Sequence, residues 1–350
     1  MTAGNVEWFR QAKYGMMIHW GLYSLLAGEY RGRHCDPYAE WIQSAMRIPN
    51  REYEKLAGAF NPIAFDPDDL VDLARRCGMQ YLVVTAKHHD GFAMYHSQVD
   101  SYNVVDATPF HRDVVGELSQ ACRRAGLKFG IYYSQDLDWH EPDGGGYLSN
   151  DVETAGTTWD NSWDFTGNKS YDRVFESKII PQIEEIMSGY GDIALAWFDM
   201  PMTLSQNQSQ TIYETVKRLQ PDCLINSRLG NGRYDYVSLG DNEIPAGQEV
   251  RQGERMGADE GKESREVDYN GVNGFKPSPL GLYESAGTIN DSWGFSYHDQ
   301  DWKNPQTIHD YKTRLNGMGI NYLLNIGPDP LGRVPVAARD ILLEARRLEG

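Results

Sequence analysis

Asp199 closes the apolar run Ile193-Ala194-Leu195-Ala196-Trp197-Phe198 and precedes Met200-Pro201. A carboxylate leaving a buried strand beside a tryptophan can attack an anomeric carbon, and it needs no deprotonation near neutral pH to do so. The ordinary alternative for an Asp in such a place is to cap a loop or a helix. Glycosidic chemistry also requires a second carboxyl as acid and base. Asp241 and Glu243 in Leu239-Gly240-Asp241-Asn242-Glu243 are candidates, and so is Glu284 in Gly281-Leu282-Tyr283-Glu284. Asp241 and Glu243 stand two apart, so an extended segment would aim both the same way. The ordinary role for Glu284 is a surface charge in a loop.

His19 and the pair His88-His89, followed by Asp90, raise the question of a metal. The HxH and HExxH spacings are missing, and adjacent histidines on a strand point to opposite sides, which is poor for joint ligation. Hydrogen bonding to a neutral polyol suits them better, since a neutral imidazole both donates and accepts; satisfied core histidines are the plain alternative. No metal or cofactor is expected. A Ser-His-Asp hydrolase would need a GxSxG elbow, which the sequence lacks.

These residues need a scaffold, and the chain has a rhythm that supplies one. Helical periods over Leu70–Cys77, Val114–Arg124, Tyr171–Met187 and Ile212–Leu219 alternate with short β-rich runs at Tyr81–Thr85, Phe129–Tyr133, Ile193–Phe198 and Cys223–Ile225. Tyr14–Ile18, Tyr234–Leu239 and Tyr322–Ile326 read as further strands, each followed by polar or ionisable residues. Such alternation implies a parallel sheet covered on both faces. Without a GxGxxG or P-loop after an early strand, and with ionisable residues after nearly every strand, a (β/α)8 barrel with some irregularity is favoured over a doubly wound sheet. The last helix, Pro335–Leu348, places Ala337, Ile341, Ala345 and Leu348 on one face and is expected to close the wall. Long aperiodic stretches at 139–170 and 244–278 are expected to be lids over the active face. No domain boundary stands out, so residues 1–350 are read as one catalytic domain.

Composition narrows the partners. The 350 residues carry 33 Lys and Arg against 50 Asp and Glu, a net charge of −17, with no basic patch to attract nucleic acid or an anionic membrane. No apolar run approaches a membrane span, and the N-terminus shows no signal-peptide pattern. Four widely spaced cysteines give neither a disulfide framework nor a zinc motif, which points to a cytoplasmic setting. The 9 Trp and 21 Tyr hint at carbohydrate, whose C–H faces pack on aromatic planes.

Taken in order, Gly15-Met16-Met17-Ile18-His19-Trp20-Gly21, Glu40-Trp41, Lys87-His88-His89-Asp90-Gly91-Phe92, Tyr132-Tyr133-Ser134, Trp197-Phe198-Asp199, Asn226-Ser227-Arg228 and Asn325-Ile326-Gly327-Pro328 resemble the motifs of glycoside hydrolase family 29, the α-L-fucosidases. Gly240-Asp241-Asn242-Glu243 and Ser292-Trp293-Gly294-Phe295 are most similar to the bacterial intracellular α-1,6-L-fucosidases. The resemblance implies a barrel, retention of anomeric configuration, no metal, and a fucosylated glycan or disaccharide as partner. It also implies Asp199 as nucleophile and a fucose pocket drawn from His19, Glu40, Trp41, His88, His89, Tyr132, Trp197 and Arg228. For the acid/base it favours Asp241 and leaves Glu243 and Glu284 open. Trp139, Trp159, Trp163 and Trp293 are candidates for an acceptor site holding GlcNAc. Many family members carry a C-terminal β-sandwich that this sequence lacks; its contribution would be absent or supplied otherwise, for instance by a neighbouring subunit of a homo-oligomer. A non-catalytic fucose-binding protein and a metal-dependent barrel hydrolase are the rival expectations.

Overall fold

The structure is a computed structural model that describes residues 3–147, 159–245 and 277–350. Its strands in chain order are β1 (Tyr14–Ile18), β2 (Glu29–Tyr30), β3 (Arg33–His34), β4 (Tyr81–Lys87), β5 (Lys128–Tyr133), β6 (Leu195–Phe198), β7 (Leu224–Ile225), β8 (Val237–Ser238), β9 (Tyr283–Thr288) and β10 (Ile320–Ile326). β2 and β3 pair as a small antiparallel hairpin. The other eight form one sheet in the order β7-β6-β5-β4-β1-β10-β9-β8, with every neighbouring pair parallel. A parallel bridge between Asn226 and Tyr236 joins the two outer strands, and the amides of Asp235 and Tyr236 both donate to the Ile225 carbonyl. The sheet therefore curls round on itself as a (β/α)8-type barrel.

The helices follow from local chemistry. Asp66 caps helix Pro67–Arg76 by accepting from the Asp68 and Asp69 amides, with Pro67 in the first turn where no amide hydrogen is needed. Asp113 caps Val114–Ala125, which ends at Gly126 in the left-handed conformation. Ser205 and Gln208 form a capping box that starts Gln206–Leu219 one and a half turns before the apolar period at Ile212 becomes visible. Helices at Tyr171–Gly189, Pro305–Gly317 and Val336–Arg347 complete the outer layer among the described residues. The barrel is irregular where β7 passes to β8, because only the single turn Ser227–Leu229 intervenes.

Alternation along the strands sorts two cores. Met17, Tyr81, Val83, Tyr132, Leu195, Trp197, Leu224 and Leu323 fill the interior, and the N-terminal helix contributes Phe9 and Ala12 to the same cluster. Met16, Ile18, Leu82, Val84, Ile131, Phe198 and Leu324 pack outward against the helices.

Two expectations shift. Glu284, whose ordinary role is a surface charge in a loop, lies instead on a full strand, β9, whose small polar residues Ser285, Gly287 and Thr288 hide it in the sequence. The final helix does complete the wall, packing beside helices Pro305–Gly317 and Pro67–Arg76. Its buried residues, however, are Ala338, Leu342 and Ala345, while Leu348 is exposed. Ala345 belongs to the expected face and Ile341 packs partly buried against the core, so the buried stripe is centred one residue from the one periodicity picks. The stretches expected as lids lie partly outside the described residues, at 148–158 and 246–276.

Candidate active site

The C-terminal ends of the strands surround a cavity of about 670 Å³. His19, Glu40, Trp41, His88, Trp197, Asp199, Arg228 and Asp241 line it, together with Trp159, Trp163 and Trp293. Asp199 follows β6, and its amide donates to the Gln135 side chain at 2.9 Å, which fixes the backbone at the strand end. Its carboxylate accepts from the Tyr132 hydroxyl at 2.9 Å and from Arg228 at 3.1 Å, with His89 Nε2 at 3.8 Å. Burial pushes the Asp199 carboxyl above its usual range; Arg228 opposes that shift and Asp241 adds to it.

Arg228 ties the two leading carboxylates together. One terminal nitrogen meets Asp199 and the other meets both Asp241 and the Leu239 carbonyl. The guanidinium also lies 4.7 Å from the Trp197 ring centroid. A planar fork with fixed donors suits this geometry in a way a lysine ammonium would not.

The histidines gather behind and beside this pair. β4 ends at Lys87 after a register shift between Thr85 and Lys87, so His88 and His89 are not consecutive strand residues. Their ring centroids stand 4.2 Å apart, which corrects the expectation that they point to opposite sides. His19 Nδ1 bonds Asn325 at 2.7 Å and His89 Nδ1 bonds Ser134 at 2.7 Å. Burial holds all three imidazoles neutral, with His19 lowered to about 4 and His88 and His89 well below their ordinary value. Each can therefore both donate and accept at neutral pH.

Glu40 comes from the turn Ala39–Trp41 rather than from a strand. Burial raises its carboxyl to about 7, although the Gly294 amide at 2.8 Å and Ser292 Oγ at 3.3 Å both donate to it. Near neutral pH it is therefore divided between its two protonation states and can offer a hydroxyl partner either a donor or an acceptor. Trp41 stands edge-on to His89, Trp139 and Trp159; Trp41 and Trp159 face the cavity, with His89 and Trp139 buried behind them.

The remaining candidates separate cleanly. Residues 240–243 form a turn with Asn242 at φ 56°, not an extended run, so Asp241 and Glu243 diverge. Asp241 reaches the cavity, whereas Glu243 folds back to accept from the Gly240 amide at 2.6 Å. Glu284 is buried inside the barrel, not on a surface loop. It accepts from Tyr81 at 2.7 Å, Trp197 Nε1 at 2.9 Å and Tyr236 at 3.3 Å, and does not line the cavity. Of the acceptor-site tryptophans, Trp159, Trp163 and Trp293 line the cavity, while Trp139 is fully buried and donates to the Trp159 carbonyl. Gln135, Asn325 and Ser292 were not singled out from the sequence as site residues. They act by orienting Asp199, His19 and Glu40, and short polar side chains with such roles carry no periodic signal.

Comparison with known proteins gives the family. A family model described as Alpha-L-fucosidase matches residues 3–346. Unliganded α-L-fucosidase AlfC from Lactobacillus casei is 68% identical, with a TM-score of 0.88 covering 99% of this chain and 98% of that one. An aspartate-to-alanine mutant of AlfC in complex with Fuca(1,6)GlcNAc is 67% identical, with a TM-score of 0.86 over 99% and 98% of the two chains. The α-L-fucosidase of Dictyostelium discoideum is 27% identical over 366 residues, covering 96% of this chain and 68% of that protein. The chain thus spans about two thirds of the length of the curated relatives it matches. With the family's profile covering nearly all of its length and its motifs assembled around one cavity, the chain belongs to the α-L-fucosidase family, glycoside hydrolase family 29.

Proposed function

We propose that this protein is a retaining α-L-fucosidase acting on fucose α-1,6-linked to GlcNAc. The observation that carries the reading is the Arg228 fork, which holds Asp199 and Asp241 on one wall of an aromatic-lined cavity. In this scheme Asp199 attacks the anomeric carbon as the glycosidic bond breaks, and Asp241 delivers a proton to the leaving oxygen. Asp241 then takes a proton from water, whose oxygen displaces Asp199 and restores the starting anomer. Fucose is a neutral 6-deoxy sugar, so its pocket must offer donors and acceptors for three hydroxyls and an apolar surface for a methyl group. The neutral imidazoles of His19 and His88, with Glu40 and Arg228, fit the first demand, and the tryptophans of the lining fit the second; His89 and Tyr132 stand behind the lining, beside Asp199. The α-1,6 preference rests on the Fuca(1,6)GlcNAc complex of AlfC, together with Trp159, Trp163 and Trp293 in the cavity lining. Four buried thiols, none in a disulfide, accord with a reducing cytoplasmic setting.

Azide rescue tests the assignment. With an aryl fucoside, Asp199→Gly should lose activity by about 10³-fold or more and yield the inverted fucosyl azide when azide is supplied. Asp241→Ala should yield the retained azide and should lose about 10²–10⁴-fold on the disaccharide but far less on the aryl substrate. Retained-azide rescue by Glu243→Ala or Glu284→Ala, with none by Asp241→Ala, would move the acid/base role. Full turnover by Asp199→Gly would end the nucleophile assignment.

A further inference from the structure

Outside the cavity, the β2–β3 hairpin sets Glu29 directly across from His34, so both side chains leave the same face. His298, from the loop that follows β9, meets them there. Its Nε2 lies 2.9 Å from Glu29 Oε2, while His34 Nε2 lies 3.9 Å from the same oxygen. The two imidazole rings stack with centroids 3.8 Å apart, and one ligand atom from each of the three residues falls within 4.8 Å of the others. All three residues are exposed. Two metal–ligand bonds of about 2.0–2.1 Å at a tetrahedral angle put their ligand atoms roughly 3.4 Å apart, a value the two distances to Glu29 bracket. Stacked rings direct their lone pairs nearly parallel, so the exposed imidazoles would turn out of the stack to meet one ion.

We propose that Glu29, His34 and His298 form a surface site for a divalent transition metal, zinc being the type case, which clips the hairpin to the loop after β9. Two imidazoles and one carboxylate suit zinc, nickel or copper and discriminate against magnesium and calcium, which prefer all-oxygen sets. Three protein ligands leave one position of a tetrahedron to water. The clip would tie together two segments that both contribute to the cavity lining. Cys35, Asp36 and Tyr38 follow the hairpin on one side and Trp293 precedes His298 on the other. The two segments are already pinned by Tyr297 N to Ala27 O and by Ala39 N to Ser292 Oγ, both at 2.9 Å. A metal here would reinforce an existing junction without joining the reaction.

The full-length protein, stripped with a chelator, is titrated calorimetrically with zinc chloride, magnesium chloride serving as the control. One zinc equivalent should bind with a Kd in the micromolar range, and magnesium should give no heat. His34→Asn, His298→Asn and Glu29→Gln should each weaken zinc by at least about tenfold while leaving metal-free fucosidase activity unchanged. Zinc should raise the thermal midpoint of the wild type and fail to raise that of His298→Asn. Absence of zinc binding up to about 100 µM, or zinc binding and midpoint shifts unaltered by the three substitutions, would overturn the site.

Discussion

At the scale of single residues, the proposed catalytic pair, Asp199 and Asp241, is held by one cation. As the proposed nucleophile Asp199 must be ionised, so activity is expected to fall as pH drops through its pKa. Burial raises that pKa and Arg228 pulls it down. Replacing Arg228 with Met should therefore move the acid limb of kcat/KM to higher pH as well as lower its plateau. Arg228→Lys keeps the charge but loses the fork, and should lower the plateau with a smaller displacement of the limb. Profiles measured with an aryl fucoside decide the matter. An acid limb unmoved in Arg228→Met would show that Asp199 is not the group titrating there. Asp199 could be singled out in the sequence because it closes an apolar strand, and Arg228 through the Asn226-Ser227-Arg228 motif on which the family resemblance rests. Their joint geometry could not, because a fork spanning residues 199, 228 and 241 exists only once three βα turns are folded together.

At the scale of elements, the barrel was legible wherever a strand was apolar and its helix amphipathic. β1, β4, β5 and β6 come out within a few residues of their sequence limits. β9 was missed because its inward side carries Glu284 and Ala286 where large apolar residues would have marked a strand. Glycines in the barrel interior show what those positions demand. A Cβ on Gly15 would stand 2.4 Å from the Tyr81 ring, and one on Gly130 would stand 2.8 Å from Leu195 Cβ. Tyr81 is in turn a donor to Glu284, which holds the Trp197 indole on the cavity floor. Gly15→Ala should thus cost about 1–3 kcal/mol of stability by overpacking. It should also raise KM for a fucoside, as the Tyr81–Glu284–Trp197 chain is displaced. Denaturant melts and Michaelis curves check both parts. A destabilised variant with unchanged KM would uncouple the barrel floor from the pocket.

At the scale of the whole molecule, a chain of net charge −17 still buries several carboxyl groups, and these set how its stability responds to pH. Burial raises Glu40 and Glu284 to about 7 and Asp90 and Asp136 to about 6. A carboxyl whose folded pKa lies above its unfolded value contributes its full share below the unfolded pKa and loses it as pH rises through the folded one. For Glu284 that window runs from its ordinary value of 4.5 to about 7. His19 works the other way. Lowered to about 4, it favours the fold above its ordinary value of 6.5 and loses that share as pH falls. The two trends oppose each other in the wild type, so a single melting curve against pH does not separate them. Glu284→Gln does, since an amide of the same shape still accepts from Tyr81 or Trp197 but cannot ionise. Relative to wild type, this variant should gain on the order of 2–3 kcal/mol between pH 5 and pH 8. Its stability at pH 5 should lie close to that of the parent or below it. Urea unfolding of both proteins across that range measures the difference directly. A constant offset at every pH would mean that Glu284 keeps the same protonation in the folded and unfolded chain, and that the acid beneath Trp197 is not a titrating part of the fold.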